Sequence, residues 1–155
     1  MKSKYKKILL NGLVCFMLIL MVVILFGTTW KSKYNNYKII TNIEEFYKLY
    51  LNDNPGIIFI DLRDETDYEN GHIDSFINIP FKDDENNRLT EFLSKNGYKG
   101  KTLVLMCYSS LRASRAFNIL VEGGYHNVTI INIESEKLLG EYKEDIVTGP
   151  CDCLE

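Results

Sequence analysis

Three largely apolar segments constrain the fold of this chain more than any other feature. They are Ile57–Ile60, Thr102–Met106 and Val128–Ile133. A continuous apolar run of this length is typical of a strand that is buried on both faces of a sheet. A shorter strand is predicted at Lys38–Ile40, and helical patterns lie between or after the strands, at Ile43–Leu51, Glu85–Lys95, Ser110–Glu122 and Ser135–Glu144. Strands that alternate with helices in this way predict an α/β fold with a mostly parallel central sheet flanked by helices.

The N-terminus carries an apolar segment of another kind. Residues 1–7 contain four lysines and no acid, and only Asn11 and Gly12 interrupt the apolar side chains of residues 8–26. A helix of that length spans roughly 28 Å, which is close to the thickness of the hydrocarbon core of a bilayer. We therefore expect one transmembrane helix, retained as a signal anchor, in front of the α/β domain. A cleaved secretory signal is the alternative, which the length of the run and the lack of an Ala-x-Ala cleavage site disfavour.

The charges predict the orientation and the partners of the chain. Four lysines precede the apolar segment and two, Lys31 and Lys33, follow it, so the N-terminus is expected in the cytoplasm and the domain outside. Beyond residue 30 the chain carries 14 basic and 21 acidic side chains. That acidic balance argues against a nucleic-acid partner and leaves residues 8–26 as the membrane contact. We divide the remaining chain into a tether at 27–37, a domain at 38–149 and a tail at 150–155.

Cys107 ends the second apolar strand, and a predicted helix begins within a few residues. The N-terminus of a helix and the N–H groups of a short loop stabilise negative charge, so a cysteine at this place favours the thiolate form. Arg112, in the first turn of the helix, supplies a fixed positive charge that binds oxyanions in a bidentate way. These residues predict a nucleophile beside a site for a small anion. A core cysteine that merely ends an apolar strand is the alternative.

Two stretches of this sequence resemble the rhodanese-like family. Ile60–Phe81, with the sequence IDLRDETDYENGHIDSFINIPF, carries that family's Asp-x-Arg, Gly-His-Ile and Asn-Ile-Pro pattern in order and spacing. Cys107–Ala116, with the sequence CYSSLRASRA, carries its Cys-x4-Arg loop, and GGYHNV follows at Gly123–Val128. The resemblance covers residues 39–149, which is nearly the whole predicted domain.

This resemblance implies a sulfurtransferase. Cys107 would attack the outer sulfur of a donor such as thiosulfate and hold it as a persulfide, from which a nucleophilic or thiol acceptor takes it. The N–H groups of the loop would bind the small sulfur-containing anion, from Tyr108 through Ser109, Ser110 and Leu111 to Arg112, and the Arg112 guanidinium would neutralise the departing oxyanion. Related phosphatases have one more residue in this loop, so its length favours sulfur transfer.

The first stretch of the motif is expected to be structural. Asp61 and Arg63 are predicted to pair and to hold the end of their strand. His72 is predicted to make structural hydrogen bonds, although a bare interpretation of the sequence would pair it with Cys107 as a base.

Three departures from the family pattern predict weakened transfer. Ser110 stands where active members often carry glycine, which predicts strain in a loop that requires positive φ. Ala113 replaces a serine whose hydroxyl would bond near the persulfide. Glu134 and Ser135 replace a Gly-Gly pair after the last strand, and Glu134 adds negative charge where an anion binds. These residues favour slow turnover, or a neutral or protein partner.

The tail carries Cys151 and Cys153, separated by one residue. A disulfide, a redox pair that accepts sulfur from Cys107, and a frayed tail with incidental cysteines are all open interpretations. No further ligand pair accompanies these cysteines and the chain has no glycine-rich nucleotide loop, so we expect neither a metal nor a cofactor. Two functions stay open beside sulfur transfer: a non-catalytic anion- or protein-binding module, and a thiol redox or phosphatase-like enzyme.

Overall fold

A computed structural model of the chain describes residues 11–25, 37–82 and 86–151. The chain divides into two units, Met1–Asn35 and Asn36–Glu155. In the first unit, residues 11–25 form helix α1, whose large apolar side chains are exposed. No helix within the described ranges is both long and apolar enough to cross a membrane. The span predicted at 8–26 extends past the described residues at both ends, and the segments at 1–7 and 27–36 lie outside them.

The second unit alternates strands and helices. Its strands are β1 (Tyr37–Ile40), β2 (Ile57–Asp61), β3 (His72–Ile73), β4 (Phe76–Asn78), β5 (Thr102–Met106), β6 (Val128–Ile131) and β7 (Ile146–Val147). Its helices are α2 (Ile43–Tyr50), α3 (Glu65–Asn70), α4 (Asn86–Lys95), α5 (Leu111–Glu122) and α6 (Ser135–Glu141), and a short 3₁₀ turn follows at Lys143–Asp145.

The main sheet contains five parallel strands in the order β1-β6-β5-β2-β4. A separate two-stranded sheet pairs β3 with β7 in antiparallel orientation. Because the strands of the main sheet run in one direction, their carboxyl ends lie along one edge, where ligands bind in open α/β folds. β2 and β5 are neighbours and end side by side, with Asp61 opposite Met106. The residues that follow these two strands therefore meet at this edge.

A hydrophobic core covers each face of the main sheet. In β5, Leu103 and Leu105 pack into a core with α4 and α5, whereas Val104 and Met106 pack into a second core with α2, α3 and α6. All four side chains are fully buried. Burial on both faces explains why the central strands are continuously apolar. Cys107 continues this alternation and joins the core formed with α4 and α5.

The predicted α/β class, with a mostly parallel sheet and flanking helices, is confirmed. The sequence did not predict four short elements, α3, β3, β4 and β7, and several other elements differ at their ends. The last predicted strand stops at Ile131 instead of Ile133, and α6 stops at Glu141 instead of Glu144. Tyr142 has φ −105° and ψ 41°, which lie outside the helical range, and the 3₁₀ turn begins after it.

Candidate active site

Cys107 lies directly after β5, at the carboxyl edge of the sheet. Its side chain is a free thiol and is 1% exposed. The residues 108–110 join it to α5, so the first N–H groups of a twelve-residue helix face the loop that Cys107 begins. The predicted arrangement of strand, cysteine, short loop and helix is therefore present.

Ser110 turns the chain from this loop into α5. Its φ of 66° and ψ of −11° are left-handed, as is the φ of 67° at Ser75, and these are the two non-glycine residues with positive φ within the described ranges. Ser110 is the N-cap residue, but its side chain makes no capping hydrogen bond. The backbone at Ser110 thus has the positive φ that the sequence predicted for this loop. Ala113, in the first turn of α5, is fully buried and brings no hydroxyl to the site.

Arg112 binds a carboxylate on the neighbouring loop. Its Nη1 donates to Oδ1 of Asp64 at 3.0 Å and its Nη2 donates to Oδ2 at 3.3 Å, while Nη1 also lies 3.4 Å from the carbonyl oxygen of Leu62. The pair is partly open to solvent, with side-chain exposures of 32% for Arg112 and 45% for Asp64. The hydrogen bond from Arg112 lowers the pKa of the Asp64 carboxyl, so this group is ionised at neutral pH. The bidentate partner of Arg112 is thus a residue of the protein itself.

Hydrogen bonds hold Tyr108 both at its side-chain hydroxyl and at its backbone carbonyl oxygen. Its hydroxyl oxygen lies 3.1 Å from Oδ2 of Asp64 and also contacts Oδ2 of Asp67, so the two carboxylates share its single proton, and it accepts a bond from the Asp64 N–H at 3.2 Å. Its carbonyl oxygen accepts a hydrogen bond from the N–H of Ser135 at 3.1 Å. The Arg112 guanidinium carbon lies 4.8 Å from the centre of the tyrosine ring, a cation–π contact. Burial and the bond to Asp67 raise the pKa of Tyr108 to about 12, so the phenol is neutral at pH 7.

The pair predicted between Asp61 and Arg63 forms, and both side chains are buried. Nε and Nη2 of Arg63 donate to Oδ2 of Asp61 at 2.9 and 2.7 Å, and the Arg63 N–H donates to Oδ1 at 2.9 Å. Burial raises the pKa of Asp61, and the bonds from Arg63 act in the opposite direction. Asn78 Nδ2 donates to the carbonyl oxygens of both residues at 3.1 Å. Together these contacts fix the segment that carries Asp64.

His72 lies in β3, and its contacts are structural. Its ring stacks on Tyr68 with 3.5 Å between ring centres, and its Nδ1 lies 2.8 Å from the Tyr68 carbonyl oxygen. A carbonyl oxygen only accepts, so Nδ1 carries the proton. Within the described residues, none of the hydrogen bonds or ring contacts of His72 involves Cys107.

The turn after β6 lies against the loop through Ser135, as the N–H bond to Tyr108 shows. Glu134, the N-cap residue of α6, is exposed. A carboxylate therefore stands in the turn that contacts the loop, at the place where the family pattern has glycine.

Cys151 is disulfide-bonded. It packs against the core formed with α2, α3 and α6, and with Tyr68 and His72 it lines a cavity of about 560 Å³. Cys107 packs into the core on the other face of the sheet, so the structure does not bring these two cysteines together. Cys153 lies outside the described residues.

Asp64 and Asp67 are the site residues that the sequence prediction missed. Asp64 ends the loop after β2 as the N-cap residue of α3, and Asp67 lies in the first turn of that helix. The signal that identifies them is topological: a carboxylate after one strand meets an arginine after the next strand when β2 and β5 are neighbours. No group of His, Cys, Asp and Glu side chains within the described residues is arranged to hold a metal ion.

A family model for the rhodanese-like domain matches residues 42–134, which include the loop after β2 and the loop after β5. The chain belongs to the rhodanese-like domain family. The resemblance in the sequence is thereby confirmed.

Curated relatives match a shorter segment. Proteins named tRNA uridine(34) hydroxylase, from Photorhabdus laumondii and Erwinia tasmaniensis, are each 32% identical over 79 residues, which is 49% of this chain and 22% of theirs. The chain thus spans about a fifth of the length of these relatives.

Solved structures share the fold. The single-domain sulfurtransferase RDL2 of Saccharomyces cerevisiae superposes with a TM-score of 0.57 at 22% identity, over 72% of this chain and 95% of that one. The As-Sb reductase of Leishmania major superposes with a TM-score of 0.53 at 24% identity, over 77% and 91% of the two chains. At these identities the likeness concerns the fold alone.

Proposed function

We propose that this protein is a sulfurtransferase that carries sulfane sulfur on Cys107. The observation that carries the proposal is the position of this free thiol at the start of the loop between β5 and α5. The N–H groups at the beginning of α5 stabilise a thiolate and then the charge of a bound persulfide. Membership in the rhodanese-like domain family supports the same chemistry.

Each transfer exchanges one sulfur–sulfur bond for another. The Cys107 thiolate attacks the outer sulfur of the donor, and the bond between that sulfur and the rest of the donor breaks. The remainder leaves with the electron pair, which for thiosulfate produces sulfite. A thiolate acceptor then attacks the outer sulfur of the persulfide and releases the Cys107 thiolate.

Intact-protein mass spectrometry tests the proposal. The reduced full chain, kept in mild detergent, is incubated with thiosulfate and, separately, with the hydropersulfide of 2-mercaptoethanol. We expect the mass of one sulfur atom to be added to the parent by at least one donor, and we expect no corresponding addition on residue 107 of Cys107→Ser. Peptide mapping assigns the modified cysteine, because three other cysteines are present. If no donor loads Cys107, the proposed function is wrong.

A non-catalytic binding module is the second candidate. The observations that favour it are the burial of Cys107, which is 1% exposed, and the engagement of Arg112 by Asp64. If the loop binds a donor anion in calorimetry while Cys107 takes no sulfur, this second function replaces the first.

Membrane attachment through residues 8–26 is part of the proposal. It is supported by the apolar sequence of that segment and by the four lysines before it. We expect the full chain to sediment with membranes and to resist extraction by alkaline carbonate. Release by carbonate would contradict an integral anchor.

A further inference from the structure

We propose that Asp64 determines donor specificity, and that it selects sulfur donors without net negative charge. The inference rests on the proposed function, since it names the substrate class of the Cys107 site. Arg112 is the cation that the loop offers to an oxyanion.

Asp64 occupies the binding edge of this cation. The two oxygens of its carboxylate accept from Nη1 and Nη2 of Arg112 at 3.0 and 3.3 Å, which is the two-point geometry that an oxyanion of the donor would need. The guanidinium carbon also lies 4.8 Å from the centre of the Tyr108 ring. An anionic donor must therefore displace Asp64 or bind beside an arginine whose charge is already compensated.

Other charges at the loop add to this effect. Asp67 is a second carboxylate on the Tyr108 hydroxyl, and Glu134 is exposed in the turn that contacts Tyr108 through Ser135. Lys82 acts on Asp64 as a further cation and lowers the pKa of its carboxyl, but less than Arg112 does. Within the described residues, the carboxylates of Asp64 and Asp67 thus offset the cations Arg112 and Lys82 at the loop. A dianion such as thiosulfate gains little attraction from such a balance.

A hydropersulfide that reacts in its protonated form, R–S–SH, avoids this disadvantage. The Cys107 thiolate attacks the outer sulfur of R–S–SH, a bond forms between Sγ and that sulfur, and the S–S bond of the donor breaks. R–S⁻ leaves with the electron pair, and the outer sulfur keeps its hydrogen. No oxyanion develops in this step, so it does not require a free Arg112. The structure assigns small hydropersulfides with an uncharged or cationic R group to this site.

The test uses donors that differ in charge but share a two-carbon chain: the hydropersulfides of 2-aminoethanethiol, 2-mercaptoethanol and 2-mercaptoethanesulfonate, with thiosulfate as a fourth donor. The rate of sulfur addition to Cys107 is measured in the parent, Asp64→Asn and Glu65→Gln, with Cys107→Ser as background. Glu65→Gln removes the same charge one residue away. Glu65 pairs with Arg88 at 3.3 Å and makes no hydrogen bond to Arg112.

We expect the parent to react about tenfold faster with the cationic and neutral hydropersulfides than with the sulfonate. Asp64→Asn should raise the ratio of the sulfonate and thiosulfate rates to the neutral-donor rate about tenfold. Glu65→Gln should leave the ratio of anionic to neutral rates within about twofold of the parent.

Three results would overturn the inference. The first is an unchanged ratio in Asp64→Asn, and the second is an equal change in Glu65→Gln, which would indicate general charge rather than competition for Arg112. The third is slower loading of Asp64→Asn by all donors, which would make Asp64 only a positioning residue. These results are distinct from failure of the proposed function, in which no donor loads Cys107 in any variant.

A binding measurement keeps the inference testable without turnover. Sulfate is an unreactive dianion, and calorimetry compares its affinity for Cys107→Ser with its affinity for the double variant that also carries Asp64→Asn. Tighter binding by the double variant is expected, and equal or weaker binding would overturn the inference.

Discussion

Ser110 and Ser75 share a left-handed backbone, with φ values of 66° and 67°, but differ in their surroundings. Ser110 forms the loop of the candidate site and Ser75 lies in an exposed turn before β4. An L-residue with a Cβ atom adopts this conformation at a cost of about 1 kcal/mol, and glycine does not. The two positions therefore provide a matched pair for separating strain in the site from strain elsewhere.

We expect Ser110→Gly and Ser75→Gly each to raise the free energy of unfolding by about 0.5–1 kcal/mol, because the relief of strain exceeds the added entropy of the unfolded chain. Urea unfolding measures both. Only Ser110→Gly should also change the rate at which Cys107 accepts sulfur. A loss of stability in Ser110→Gly would show that the serine side chain, which makes no capping bond, contributes in another way.

Asp64 predicts a dependence of stability on pH. Its pKa lies below the ordinary value of 3.8 in the folded protein because of the hydrogen bond from Arg112. A lowered folded pKa stabilises the protein above the unfolded pKa, and this contribution disappears as the pH falls through the folded pKa. We expect Asp64→Asn to be less stable than the parent at pH 7 by less than about 1 kcal/mol, as for other partly exposed pairs.

The difference between parent and Asp64→Asn should shrink as the pH is lowered from 5 toward 3, in a series of urea unfolding curves. A difference that stays constant over this range would mean that the charge of Asp64 does not contribute to folding.

At the scale of elements, the sequence predicts those parts of the fold whose own side chains determine their structure. Thr102–Met106 forms β5 with the predicted bounds because five apolar or β-branched residues in a row have few alternatives. By contrast, α3 has the sequence ETDYEN with Tyr68 as its buried residue, and β4 is the three-residue edge strand FIN. These two elements depend on packing and on pairing with β2, which no local pattern reveals.

The candidate site divides in the same way. Cys107 and Arg112 are identifiable because one short loop carries both. Asp64 binds Arg112 across 48 positions of the sequence, and Asp67 contacts Tyr108 across 41. Those contacts depend on β2 and β5 being neighbours in the sheet, which the alternation of strands and helices does not specify.

Helix α5 holds the loop by its apolar face, and two leucines test this. Leu120 is fully buried and Leu111 is 60% exposed. We expect Leu120→Ala to lower the free energy of unfolding by about 2–5 kcal/mol, because it leaves a cavity in the core with α4. Leu111→Ala should change it by less than about 0.5 kcal/mol. Similar losses for both variants in urea unfolding would contradict this orientation of the helix.

At the scale of the whole molecule, both hydrophobic cores belong to the second unit. The buried members of the two clusters lie between Ile40 and Tyr142, and the unit begins at Asn36. Among the described residues, neither core contains a residue of the first unit.

We therefore expect a fragment of residues 36–155 to fold cooperatively, with an unfolding free energy within about 1 kcal/mol of that of the full chain in the same detergent. Urea denaturation followed by circular dichroism compares the two. A fragment that unfolds without a cooperative transition would show that the first 35 residues are needed for the stability of the domain.

The strand order has a consequence for how the protein is made. The edge strand β1 pairs with β6, with Tyr37 opposite Val128 and Ile40 opposite Ile131, so the partner leaves the ribosome about ninety residues later. Until then β1 has no neighbour, and β5 lacks the partner on one of its sides. Unpaired strand edges pair readily with other chains. The nascent protein is thus most prone to aggregate late in its synthesis, shortly before β6 has emerged. β6 is the strand that joins β1 to the sheet.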